Sequence, residues 1–139
     1  MTDVADPPVD VRDVAEIDMS VPAEGAYLSV LRTAAAGLAA RLNFTLDDIE
    51  DLRIAVDEAC SILLAQAIAG SRLTCAFHMT EDSVTVRASV RATSPRIPSR
   101  DGFSWTVLTA LTSRVEFDIR SPDLLLIELS HQRPVVGLA

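Results

Sequence analysis

The group best placed to do chemistry in this chain is Glu58, in the segment EDLRIAVDEACSILL at positions 50–64. Isoleucines stand one helical turn before it (Ile54) and one turn after it (Ile62). Residues four apart stack on one helix face, so the carboxylate looks out from an apolar stripe. Hydrocarbon around a carboxyl disfavours its charged form, as a general base near neutral pH requires. The same spacing also serves an ordinary surface glutamate. The remaining reactive types are sparse. Cys60 lies on a helix stripe with Val56 and Leu63, and Cys75 alternates with Leu73 and Phe77, so both read as small buried hydrophobes rather than a disulfide, a zinc site or a redox pair. His78 falls on a polar strand face and His131 lies near the end; both read as solvated.

The elements that position these residues follow from periodicity. Residues 1–12 are polar, with Pro7-Pro8, and read as a loose acidic tail ahead of one domain over residues 13–139. Ala15, Ile17, Met19 and Val21 alternate with polar residues as a half-buried strand that Pro22 ends. A helix follows to about Leu42, with Tyr27, Leu31, Leu38 and Leu42 as its stripe and Gly37 allowing close packing. Thr45 with Asp48 makes a capping-box start for a second helix to about Ala69, cored by Ile49, Leu52, Val56, Ala59, Cys60 and Leu63. Glu50, Arg53 and Asp57 form a solvated charge ladder on it. A hairpin spans 73–90 around Thr80–Ser83, and a proline-rich loop, ATSPRIPSRDG, occupies 92–102. A short helix from Phe103 to Thr112 has Phe103, Val107, Leu108 and Leu111 as its apolar side, and a last hairpin turns at Ser121-Pro122-Asp123. The order β-α-α-β-β-α-β-β predicts an α+β fold, a two-layer α/β sandwich whose mixed, mostly antiparallel sheet carries helices on one face.

Composition narrows the function classes. Of 139 residues 49% are apolar, yet no apolar run is long enough to span a bilayer and the acidic start lacks the pattern of a signal peptide. A cytoplasmic protein without membrane contact is expected. Net charge is −8 and every cation is one of 12 arginines, with no lysine, so the surface repels phosphate backbones and nucleic-acid binding is not expected. A basic protein partner remains compatible with it.

Three pieces of sequence, taken together, resemble a known family. They are AYLSVLR with Tyr27 and Arg32, the helix start FTLDDIEDL, and IAVDEAC with Glu58. The run of roughly fifty residues from Pro22 is similar to the anti-sigma-factor serine kinases of the RsbW/SpoIIAB type, including its anti-sigma-F branch, which share the ATPase fold of gyrase and sensor histidine kinases. The resemblance implies a histidine-kinase-like ATPase domain and a homodimer. It implies partner switching between a sigma factor, of the alternative stress type, and an anti-sigma-factor antagonist. It makes Glu58 the catalytic glutamate if the site is active, and it makes Tyr27 and Arg32 partner-binding residues. A helix arginine merely paired with a nearby acid is the competing reading of Arg32.

The resemblance also implies a Mg-ATP site, and there the chain departs from the pattern. The family's E-x-x-x-N places an amide where this chain has Ile62; its adenine-reading aspartate aligns with Val90 and the following glycine with Ala92. The lid shrinks to residues 92–102, and the glycine-rich helix start becomes Asp101-Gly102-Phe103-Ser104. Arg96, Arg100 and Gly102 are the remaining candidates for nucleotide contact, with solvated loop arginines the alternative. Losing a hard metal ligand and a recognition carboxylate weakens binding by several bonds' worth. Weak ATP and Mg²⁺ binding is therefore the most that the site should retain, with Ile62→Asn and Val90→Asp as the changes expected to restore it. Three readings stand: an anti-sigma factor that acts by binding, an active serine protein kinase, and a generic homodimeric sandwich domain.

Overall fold

The computed structural model describes residues 13–120 and 122–133; the tail expected over residues 1–12, Ser121 of the last turn and residues 134–139 lie outside the described residues. The elements are β1 (Asp13–Pro22), a 3-10 turn (Gly25–Tyr27), α1 (Leu28–Arg41), α2 (Leu46–Gln66), β2 (Arg72–Thr80), β3 (Ser83–Arg91), α3 (Phe103–Leu111), β4 (Arg114–Arg120) and β5 (Leu124–Gln132). The strands form one sheet in the order β1-β2-β3-β5-β4. Every ladder is antiparallel, so the expected α+β sandwich is present with a sheet that is antiparallel throughout.

Alternation along the strands separates the two faces. Leu73, Cys75, Phe77 and Met79 of β2, Val84, Val86, Ala88 and Val90 of β3, and Leu125, Ile127 and Leu129 of β5 are buried in one cluster with the helices. Thr74, Ala76, Arg87, Ser89, Glu128 and Ser130 point the other way and carry pairs such as Arg87–Glu128 at 2.6 Å. Ile17 of β1 is 38% exposed, because this edge strand is only partly covered by α1.

The stripe of α1 is Leu28, Leu31, Ala35 and Ala39, with Leu42 just beyond, rather than the series beginning at Tyr27. Tyr27 sits in the 3-10 turn, whose tighter winding offsets it from the helix phase and leaves it 39% exposed. The helix ends in a Schellman arrangement: Phe44 N–H reaches Ala39 O at 3.2 Å and Asn43 N–H reaches Ala40 O at 3.2 Å. Asn43 takes the left-handed conformation this needs, with φ 61°. Gly37 does not serve close packing, since a Cβ there would meet nothing within 4 Å.

α2 starts as the capping box predicted. Asp48 N–H donates to Thr45 Oγ1 at 3.1 Å, and Thr45 Oγ1–H donates to Asp48 Oδ2 at 2.8 Å. The helix stops at Gln66, short of Ala69, because Ala67 bridges to Ala92 and Ile68 N–H donates to Arg91 O at 2.9 Å. Those sheet-type bonds outcompete one more helical turn. Gly70, at φ 78°, then reverses the chain.

His131 is not solvated. It is buried on β5, with Nδ1 3.0 Å from Leu111 O and Nε2 3.2 Å from Asp48 Oδ1, against the Phe44 ring. Both partners are acceptors, so making both bonds at once requires both ring nitrogens to donate. Burial pushes the Asp48 carboxyl up, but bonds from Thr45 and His131 and the charge of the His131 ring outweigh this and hold it below the usual range.

Two predictions follow from these contacts. Gly37→Ala should stabilise the fold by about 0.5–1 kcal/mol, read as a higher urea midpoint at unchanged slope. A carboxyl lowered by folding contributes stability above its ordinary value and loses it as pH falls through the folded value. Asp48→Asn should therefore cost stability at neutral pH, and the gap to wild type should close below about pH 4 in denaturation measured across pH.

Candidate functional site

α2 runs between two neighbours and presents a different flank to each. Toward α1, Asp57 meets Arg32: Nη1 lies 3.5 Å from Oδ1, and the two side chains are 39% and 42% exposed. Asp57 thus leaves the expected charge ladder, in which Glu50 and Arg53 do pair at 3.0 Å. Arg32 is both a paired helix arginine and an open one, since nothing seals the pair from solvent. Tyr27 lies five positions earlier, in the 3-10 turn ahead of α1, outside the core.

Toward α3, Glu58 is half-buried, and its Oε2 accepts a hydrogen bond from Ser104 Oγ at 3.0 Å. The isoleucines differ: Ile54 is 44% exposed, whereas Ile62 packs against the core. The carboxylate is therefore not walled in by hydrocarbon; it leans on the first turn of α3. One turn beyond Ile62, the Gln66 amide grips the loop: Nε2 donates to Arg96 O at 2.9 Å and Oε1 accepts from Arg96 N at 2.8 Å.

The remaining candidates scatter around this contact. The Arg100 guanidinium stacks 4.8 Å over Trp105, whose ring lies 5.9 Å from Phe117. Gly102 is the N-cap of α3, and a Cβ there would come within 3.1 Å of Ser99 O, a tight approach to backbone. Phe103, expected on the apolar side of α3, is 79% exposed, and Leu108 is the residue this helix buries. Val90 is 1% exposed inside the core. An aspartate there would be a buried charge, so Val90→Asp is a destabilising change and not a restoring one.

Chemically, the Glu58 flank offers one carboxylate engaged by one hydroxyl. Among the described residues no group of three or more His, Cys, Asp or Glu is arranged to hold a metal ion. Cys60 and Cys75 are buried as the alternation indicated; burial raises both thiols, Cys75 to about 12, which leaves them poor nucleophiles. Ser104, Gln66, Trp105 and His131 are the contributors that sequence reasoning missed. Gln66 lies eight positions after Glu58 on the same stripe and was within reach of the periodicity; the others depend on how the loop folds back.

No protein-family model matches the chain. It is 33% identical over 115 residues to the anti-sigma-F factor RsbW of Mycobacterium tuberculosis, covering 81% of this chain and 68% of that protein. It is 41% identical over 77 residues to the serine-protein kinase RsbW of Halalkalibacterium halodurans, covering 55% and 48%. A serine-protein kinase RsbW of Bacillus mycoides is 32% identical over 109 residues, covering 77% and 62%. With its sandwich fold and this extent of similarity, the chain belongs to the RsbW family of anti-sigma factors. No helix among the described residues is long and apolar enough to cross a membrane.

A half-exposed ion pair contributes little to stability. Asp57→Ala should shift the unfolding free energy by less than about 1 kcal/mol, measured by urea denaturation.

Proposed function

We propose that this chain is an anti-sigma factor that works by binding. It sequesters an alternative sigma factor on a surface centred on Arg32 and Tyr27, and gives it up when an antagonist protein competes for the same surface. The observation that carries this reading is the Arg32–Asp57 pair, 3.5 Å apart and open to solvent on both sides, within a chain of this family. Such a pair is cheap to break. A carboxylate on a partner can replace Asp57, and one on a rival partner can replace the first, which is what mutually exclusive binding needs. On the same reading the protein is cytoplasmic and homodimeric and touches neither nucleic acid nor membrane; its charge of −8 supports the absence of nucleic-acid contact.

The second reading, an active serine protein kinase, is favoured by the names of the Bacillus and Halalkalibacterium relatives and by the presence of Glu58. The side chains around Glu58 do not fit a magnesium nucleotide well. Ile62 offers hydrocarbon where an oxygen ligand is wanted, Glu58 is engaged by Ser104, and Val90 is sealed in the core. Efficient phosphoryl transfer is accordingly not part of the proposal; weak nucleotide contact through Arg96, Arg100 and the Gly102 backbone is its upper limit.

Arg32→Glu, folded as wild type by circular dichroism, should lose at least tenfold in affinity for the sigma factor, and pull-down at wild-type strength would overturn the binding surface. Calorimetry with ATP, with and without magnesium, tests the other half. Wild type should bind weakly and Ile62→Asn should gain a magnesium-dependent increment. Tight magnesium-dependent binding by wild type, with phosphate transferred to an antagonist serine, would establish the kinase instead.

A further inference from the structure

Glu58, Ile62 and Gln66 succeed one another at one-turn spacing along the flank of α2 that faces α3. The first and last of them both spend their polar atoms on the segment that crosses over them. Gln66 uses both ends of its amide on the backbone of Arg96, at 2.9 and 2.8 Å, as a neighbouring strand would. Glu58 receives the Ser104 hydroxyl at 3.0 Å. Between these two tie points the chain closes on itself: Gly102 N–H reaches Ser99 O at 3.0 Å, and Asp101 N–H reaches Ser99 Oγ at 3.2 Å. From outside, Arg100 lies over Trp105, and Trp105 lies against Phe117 of β4. The root of the loop is fixed too, by Ala92 N–H to Asp123 O at 2.8 Å.

We propose that Glu58 and Gln66 form a two-point clasp that holds the 92–102 loop and the first turn of α3 closed on α2 with no nucleotide required. Glu58 is then a positioning residue for α3 and not a base. This rests on the reading above that Glu58 is not used for phosphoryl transfer. The physical argument is one of competition. A hydroxyl donating to a carboxylate makes a charge-assisted bond, and a planar amide satisfied at both ends spends no further polar group. A lid held in this way has its ordering cost met by side chains of its own chain, so its closure does not wait for phosphates to pull it down.

Hydrogen exchange of the free protein tests the clasp without any partner. Ser104→Ala and Glu58→Leu should each speed exchange of the α3 amides about tenfold, the loss of one bond to a charged group. The double variant should exchange no faster than either single one, because both remove the same bond. Glu58→Gln keeps an acceptor oxygen for the Ser104 hydroxyl and should stay within about twofold of wild type. Gln66→Ala should free the Arg96 amide. Unchanged α3 exchange in Ser104→Ala and Glu58→Leu, or Glu58→Gln loosening α3 as much as Glu58→Leu does, would overturn the clasp. Sigma-factor capture by wild type is read separately by pull-down, so a failure of the binding function leaves the exchange result standing, and the reverse also holds.

Discussion

Asp48 fixes the site of this protein from one end. Its backbone and carboxylate close the capping box with Thr45, and its other oxygen holds His131 of β5, whose second nitrogen reaches the last turn of α3. One carboxylate thereby ties the start of α2 to the sheet and to the end of α3. A one-turn slip of α2 would move its side chains by about 5.4 Å, enough to part Asp57 from Arg32 and Glu58 from Ser104 together. The bonds at Asp48 oppose that slip, and this is why a residue remote from both flanks governs their geometry.

The two flanks then divide the labour of one helix. Toward α1 the contact is loose, solvated and exchangeable; toward α3 it is partly buried and made of directed bonds. The two contacts share no side chain, so a change on the α3 flank leaves the α1 flank intact.

Much of this was legible in the sequence because the core is built from strict periodicities. The alternation of Leu73, Cys75 and Phe77 and of Val84, Val86 and Ala88 fixed the faces of β2 and β3, and Thr45 with Asp48 marked the start of α2 without ambiguity. What escaped was governed by contacts distant in sequence. His131 looks solvated until its partner 83 positions away is known, and Ser104 is an ordinary serine until the loop brings it across 46 positions to Glu58. Tyr27 was misphased for a local reason, a 3-10 turn that periodicity at 3.6 residues does not see. The hydrocarbon that flanks Glu58 in sequence is only partly hydrocarbon around it in space, with Ile54 open to solvent and Ile62 turned to the core.

Among the described residues, the order of the sheet leaves β1 and β4 without an outer neighbour, and unpaired strands invite other chains to stack on them. β4 answers with its charge pattern. Arg114, Glu116, Asp118 and Arg120 share its outward face, the arginines paired within the strand to Glu116 at 2.8 Å and Asp118 at 3.2 Å. The pattern is a palindrome about Phe117. A second copy laid antiparallel on this edge and centred there would set Arg114 against Arg120 and Glu116 against Asp118, like against like. β1 carries Glu16 and Asp18 on the same face, so its edge is acidic and meets a copy of itself with the same repulsion. Like charge on both borders thus opposes pairing with a second copy in these registers.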